Sequence, residues 1–351
     1  MTTVVVAHDS LAELRRTLPA LVAELGPDDE LVVVDNASRD GLADELEGLA
    51  PAARLVSLSK NVGFAAGANA GARAARGKLL VLLNPDAKVQ AGWGAAIRAP
   101  WGGDWAAWMG LVLLEGGAEI NTSGGVLHFT GFGWAGQIGQ PLAAGPPGQI
   151  EVGFLSGACL AIPRARWDEL GGFPEHFFMY CEDVDLSLRL RLIGGKLAVV
   201  PDAIVEHSYE FAKGPSKWRM LERNRWATVI RTYPTPLLVL VLPALLLTEL
   251  GVWAVALRGG WGAAKRRASI DVLRELPQLL RERQAIQAQA RISTAAFASQ
   301  MTSHLDSPYF GPLAHQPLVS FALRLYWRTL LTLIRLSGDV VSRPDPAQSG
   351  A

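Results

Sequence analysis

Residues 79–89 read LLVLLNPDAKV, and this stretch decides the fold. Five apolar residues in a row leave no face for solvent, so the strand at 79–83 is covered on both sides, as in a mainly parallel α/β sheet. The run stops at Asn84-Pro85-Asp86, polar residues at the carboxyl end of a strand, where such sheets bind ligands. Toward the N-terminus the same alternation repeats. Strands are expected at 3–7 (TVVVA), 31–34 (LVVV) and from 54 to 57, and helices at 11–25, 42–49 and 64–76. The strand ends carry His8-Asp9, Asp35-Asn36, Lys60-Asn61 and Asn84-Pro85-Asp86, four polar clusters where a bare fold needs only turns.

Toward the C-terminus, residues 101–148 are rich in Gly and Trp and poor in charge, which reads as loops and short antiparallel strands. Trp101, Trp105, Trp108 and Trp134 fit sugar stacking or an ordinary β-rich core equally well. Residues 152–162 are expected as an apolar strand, 171–174 (GGFP) as a turn, and a helix begins near Asp183.

Several acids sit where chemistry could use them. Asp35, directly after a buried strand, is placed for a ribose or base edge, or to cap the next helix. Asp86 can meet a divalent ion bridging to a diphosphate, or be a solvated turn. Glu182, Asp183 and Asp185 precede a helix face made by Leu186, Leu190 and Ile193, and one of Asp183 and Asp185 is expected to cap it. The preceding Phe177-Phe178-Met179-Tyr180 supplies an apolar wall that raises a carboxylate's pKa, whereas the helix dipole lowers it. His207, ending a further strand, is structural or a metal ligand.

Net charge is zero over 351 residues but unevenly spread. Residues 221–351 hold 15 Lys and Arg against 8 Asp and Glu, and residues 1–220 hold 18 against 25. An acidic front suits a cation, and a basic back suits anionic lipid. Residues 237–257 carry one charge, Glu249, and one proline, Pro243. They read as a membrane-embedded segment, kinked or re-entrant, or as a buried core helix. A basic helix is expected over 265–291 and an amphipathic helix over 318–336. There Arg324, Arg328 and Arg335 share one side, suiting a membrane interface or a helix packed on the first domain with snorkelling arginines. Residues 341–351 read as a disordered tail.

Two cysteines, Cys159 and Cys181, make neither a disulfide framework nor a zinc site and read as reduced thiols in a cytosolic domain. MTTVVVAHDS lacks a signal-peptide pattern, so the domain is expected to stay where it is made. GARAARGK at 71–78 has the wrong Gly spacing for a P-loop, and a strand follows it. Nucleic-acid binding is not expected, because long apolar runs interrupt the basic half.

VVVDNAS at 32–38, SKNVGFAAGANAG at 59–71, LLVLLNPDAKV at 79–89, FLSGACLAIPR at 154–164, GGFPEHFFMYCEDVDLSLRLRLIGG at 171–195 and VEHS at 205–208 stand in order along the first 230 residues. Together they resemble the family 2 glycosyltransferases, in the bacterial rhamnosyltransferase-like and galactofuranosyltransferase-like branch. The resemblance implies an α/β, Rossmann-like GT-A domain over 1–230, and the apolar and basic helices after it read as a helical, membrane-associated region over 231–340. It implies an inverting transfer of a deoxyhexose or furanose from a dTDP- or UDP-type donor. The acceptor would be a hydroxyl of a lipid-linked glycan at the cytoplasmic face of the cell membrane, in cell-surface polysaccharide synthesis. Ala7, Asp35, Asn61, Gly63, Asn84 and Asp86 would bind the nucleotide sugar, and Asp86 and His207 would hold Mg²⁺ or Mn²⁺. Asp183 would be the general base, with Glu182, Asp185 and Trp134 on the acceptor. Asn84 replaces the first acid of the family's DxD motif, which removes one charge from the metal site. A polyprenyl-phosphate transferase or a non-catalytic sugar-binding scaffold would share the fold, and a homo-oligomer is compatible with either.

Overall fold

The computed structural model describes residues 1–208, 214–307 and 316–336. The N-terminal alternation forms β1 (Thr2–Ala7), α1 (Leu11–Glu24), β2 (Glu30–Asp35), α2 (Leu42–Leu49), β3 (Arg54–Ser57), α3 (Gly63–Ala74) and β4 (Leu79–Leu83). Next come β5 (Ala87–Val89), α4 (Trp93–Arg98), β6 (Trp105–Leu113) and the short strands β7 (Ile120–Thr122), β8 (Gly125–Leu127), β9 (Gly133–Ala135) and β10 (Ile150–Glu151). After β11 (Cys159–Pro163), α5 (Arg164–Leu170), α6 (Glu182–Leu192) and β12 (Lys196–His207), the rest is helical. It comprises α7 (Gly214–Thr232), α8 (Thr235–Arg258), α9 (Gly262–Ala288), α10 (Thr294–Ala298) and α11 (Pro317–Leu336).

Ten strands make one mixed sheet in the order β10-β12-β6-β11-β4-β1-β2-β3, with β5 on β12 and β7 on β6. β4, β1, β2 and β3 run parallel, and every residue of β1 and β4 is buried, as their unbroken apolar runs require. The register aligns Ala7 with Asp35 and Val5 with Leu83, so the polar clusters after these strands line up along one edge.

Three expectations are corrected. Residues 101–148 do hold loops and short antiparallel strands, but WAAWMGLVL at 105–113 is a long strand of the main sheet, parallel to β12, and Trp108 is a core residue whose Nε1–H donates to the Ile97 carbonyl at 2.7 Å. The apolar run at 152–162 becomes a strand only from Cys159, because the backbone N–H groups of residues 152, 154, 155 and 157 are drawn to four different partners. Pro243 does not break the apolar segment into a hairpin, for α8 is one continuous helix.

α8 is also no core helix. It is the one helix among the described residues long and apolar enough to cross a membrane, yet only 11% of its apolar window is buried. Leu237, Val241 and Leu245 are its inward row. Glu249 extends that row by one turn into a buried cluster, accepting from Lys265 Nζ at 2.6 Å and Arg225 Nη2 at 3.1 Å, while the same two cations hold Glu222. α7 and α9 are zipped by Arg219–Asp271 (2.6 Å) and Arg231–Glu282 (2.8 Å). The expected tail at 341–351 lies outside the described residues.

Candidate active site

The turn after β2 is built around Asn36, which is almost fully buried. Its Nδ2 donates to Asn61 Oδ1 (3.1 Å) and the Gly63 carbonyl (3.2 Å), and its Oδ1 accepts from Val62 N–H (2.9 Å). Asn61 Oδ1 also accepts from Gly63 N–H at 2.9 Å. One side chain therefore fastens the strand end to the Asn61–Gly63 turn, bringing two of the expected donor-binding segments together. Asp35, 8% exposed, accepts from Ser38 N–H at 2.8 Å, a local turn bond that leaves its second carboxylate oxygen for a ligand. Ala7 is enclosed and its carbonyl accepts from Asn36 N–H, so it shapes the turn from behind.

Asp86 and His207 are 121 residues apart in sequence and meet because β5 pairs with the end of β12, with Ala87 opposite His207. His207 Nε2 lies 3.1 Å from Asp86 Oδ1 and 3.2 Å from Asn84 Nδ2. No group of three or more His, Cys, Asp and Glu gathers among the described residues. A carboxylate and an imidazole facing each other at the ligand edge of the sheet fit a divalent ion that takes its remaining ligands from diphosphate oxygens and water.

The acid cluster sits at the start of α6 behind a strained approach. Phe178, Tyr180 and Cys181 all have φ between 63° and 72°, a region side chains seldom adopt. Asn224 of α7 restrains this segment: its buried Nδ2 donates to the carbonyls of Phe177 (3.1 Å), Met179 (2.9 Å) and Tyr180 (2.7 Å). Arg223 adds bonds to the carbonyls of His176 and Phe177 at 2.8 Å. At its other side, the Phe178 carbonyl accepts from Ala65 N–H (3.1 Å) and its ring packs against Gly63, tying the approach to the Asn61–Gly63 turn.

Asp183 Oδ2 accepts from Gly157 N–H at 3.0 Å and Oδ1 from Val184 N–H at 2.8 Å. The Phe64 ring packs beside Gly157 and completes an apolar wall. Burial raises the Asp183 pKa, outweighing the backbone donors that pull it down. Of the two influences weighed from sequence, the wall wins over the helix terminus. Glu182 is raised to about 8 by burial and by the charge of Asp183, and its Oε2 finds no hydrogen bond among the described residues. Adjacent carboxylates do not both ionise readily, and the Gly157 and Val184 N–H groups favour the charged form of Asp183. With its pKa pushed up to about 8, Glu182 holds its proton at neutral pH.

Two expectations for this cluster change. Neither Asp183 nor Asp185 caps α6: the cap residue is Cys181, whose side chain makes no capping bond. Asp185 does not face an acceptor, being fully buried between Arg189 and Arg231, each at 2.6 Å. Those arginines hold α6 against the Gly171-Gly172 turn and against α9. Trp134 lies on the β8–β9 hairpin, which runs beside α6, since a Cβ on Gly133 would stand 3.7 Å from Val184. Sequence reasoning missed Asn224, Arg231 and Gly157. A lone Asn inside a long charged helix was the available signal for Asn224, because Asn is a poor helix former.

Residues 2–108 match the family described as Glycosyl transferase family 2, and residues 148–229 match Glycosyltransferase like family 2, together more than half the chain. The N-acetylglucosaminyl-diphospho-decaprenol L-rhamnosyltransferase of Mycobacterium tuberculosis is 39% identical over 84 residues, 24% of this chain and 27% of that protein. Rhamnosyltransferase WbbL of Escherichia coli is 32% identical over 75 residues, 21% of this chain and 27% of the relative. The chain thus spans about a quarter of the length of these relatives in the matched stretch. Among solved structures, S. aureus TarS 1-349 in complex with UDP-GlcNAc superposes with a TM-score of 0.52 at 16% identity, covering 98% of this chain and 93% of that one. GalNAc-T7 with UDP, GalNAc and Mn2+ superposes with 0.55 at 19% identity, covering 67% and 48%. These likenesses carry the GT-A fold, and with the two family matches they place the chain in the family 2 glycosyltransferases.

Proposed function

We propose that the chain is an inverting glycosyltransferase, moving a deoxyhexose or furanose from a dTDP- or UDP-type donor to a hydroxyl of a lipid-linked glycan in cell-surface polysaccharide synthesis. The observation carrying this reading is the Asp183 side chain, aimed by the Gly157 and Val184 N–H donors and standing beside Glu182. A carboxylate with a raised pKa is the stronger base for an alcohol proton. As the acceptor oxygen bonds to the anomeric carbon, its proton passes to Asp183. The bond to the nucleoside diphosphate breaks on the opposite face with its electron pair. One displacement inverts the centre. Asp35, Asn61, Gly63 and Asn84 hold the nucleotide sugar, with Ala7 behind them, while Glu182 and Trp134 orient the acceptor. Mg²⁺ or Mn²⁺ held by Asp86 and His207 would neutralise charge on the leaving diphosphate.

Relatives named for rhamnosyl transfer, one of them to a diphospho-decaprenol-linked sugar, support the sugar and acceptor classes, and the proposed reaction takes place at the cytoplasmic face of the cell membrane. The test is nucleoside-diphosphate release from dTDP-, UDP- and GDP-sugars with membrane extract as acceptor, with and without Mn²⁺ or Mg²⁺. Metal-dependent release from one donor, lost in Asp183→Asn and Asp86→Ala, is expected. Release that survives Asp183→Asn would replace the base assignment with transfer to a lipid phosphate, whose oxygen is already anionic. No release from a folded protein would leave a sugar-binding scaffold.

A further inference from the structure

The outward face of α8 and α11 is the largest feature that the transferase site does not use. Leu246, Leu247 and Leu250 of α8 are exposed, the last two at 72% and 68%, and Phe321 and Leu325 of α11 stand out beside them. The two helices touch, with Tyr326 Oη donating to the Leu240 carbonyl at 2.7 Å, so they offer one continuous surface. A soluble protein seldom leaves such an apolar area uncovered.

Charge identifies the occupant. On α11 the inward row is Trp327, Leu330 and Ile334, and Trp327 stacks on Phe129 at 4.8 Å. At 3.6 residues per turn, Leu318, Phe321, Leu325 and Leu336 point the opposite way, and Arg324, Arg328 and Arg335 run between the two rows. All three arginines are exposed, and none pairs with a carboxylate among the described residues. Exposed Arg258, Arg266 and Arg267 gather at the far end of α8, near the stacked Trp218 and Trp261. Apolar side chains flanked by cations and indoles match the boundary between acyl chains and anionic headgroups.

We infer that α8 and α11 lie flat in the surface of an anionic lipid bilayer, with their outward leucines in the acyl layer and the arginines at the headgroups. α8 does not span. Its inner row ends in Glu249, paired with Lys265 of α9 and Arg225 of α7, and a spanning α8 would carry those charged helices into hydrocarbon. This deepens the lipid-linked acceptor reading, on which it rests only for its purpose, since docking is measured without turnover.

The experiment is co-sedimentation of the full chain with phosphatidylcholine vesicles containing none or a quarter phosphatidylglycerol. Soluble-donor hydrolysis is followed in parallel. Binding to the anionic vesicles is expected to fall at least tenfold in Leu247→Glu/Leu250→Glu and in Arg324→Glu/Arg328→Glu, with donor hydrolysis unchanged. Bound protein should be released by alkaline carbonate. Resistance to carbonate would overturn the in-plane geometry. Binding that the variants leave intact would overturn the surface, as would a lipid-free dimer that they dissociate, which would make this face a contact between copies. Loss of hydrolysis with docking intact would count against the transferase reading alone.

Discussion

Replacing Gly63 by alanine tests whether the Asn61–Gly63 turn and Asp183, the proposed base, are one mechanical unit. Gly63 has φ +83°, and a Cβ there would lie 2.6 Å from the Phe178 ring. The backbone conformation costs an L-residue about 1 kcal/mol. Forcing a methyl against Phe178 adds about 1–3 kcal/mol, and shifting that peptide puts its bond from Ala65 N–H at risk, about 1 kcal/mol more. The total is about 3 kcal/mol or more. Gly41 is the control, because its φ is +87° with nothing within 4 Å of a Cβ, so Gly41→Ala should cost only the first contribution. Phe178 cannot yield alone. Asn224 fixes the carbonyls on either side of it, so displacement passes to Asp183, and a misplacement of about 1 Å costs roughly 100-fold in rate. Urea unfolding and kcat, measured on both variants, read the two effects. Gly63→Ala indistinguishable from Gly41→Ala in both would refute the reasoning.

Other consequences can be checked directly. Because the folded pKa of Glu182, about 8, stands above its unfolded value near 4.5, its contribution is complete below pH 4.5 and is lost as pH rises through 8. Glu182→Gln should therefore be more stable than the parent above pH 8, and equal stability of the two in urea unfolding at pH 9 would contradict the burial argument. Glu249→Leu leaves Arg225 and Lys265 to share Glu222 in a buried site, and should destabilise by about 3–5 kcal/mol in thermal or urea unfolding. A change below about 1 kcal/mol would mean the cluster is hydrated. Asn224→Ala should lower kcat by roughly 100-fold while the donor KM stays within about threefold, since it frees the approach to Asp183 without touching the donor turn. A matching rise in KM would place its effect on the donor side instead.

Local pattern reaches a long way in this chain. The unbroken apolar runs at 3–7, 31–34 and 79–83 could only be buried strands, and their polar ends could only lie along the ligand edge of a parallel sheet. Arg324, Arg328 and Arg335 share a side of α11 for the same reason, helical period. The run at 152–162 was misread because apolar content looks alike in a strand and in a loop whose donors are claimed by other elements. β6 was obscured by its glycine and tryptophans, which are as common in turns and rims as in strands.

What the sequence determined by itself was the layering of the first domain and the identity of the acids, because strand burial, helix period and residue chemistry are properties of neighbours along the chain. Which acid is aimed by backbone donors, which is pushed toward its neutral form by burial and which is locked in an ion pair was decided only in three dimensions. Asp183 is set apart by Gly157, Asp185 by Arg231, and Asp86 acquires His207 through the β5–β12 pairing. Each of these partners is 26 residues or more away along the chain, and an ionisable group responds to what lies within a few ångströms, not within a few residues.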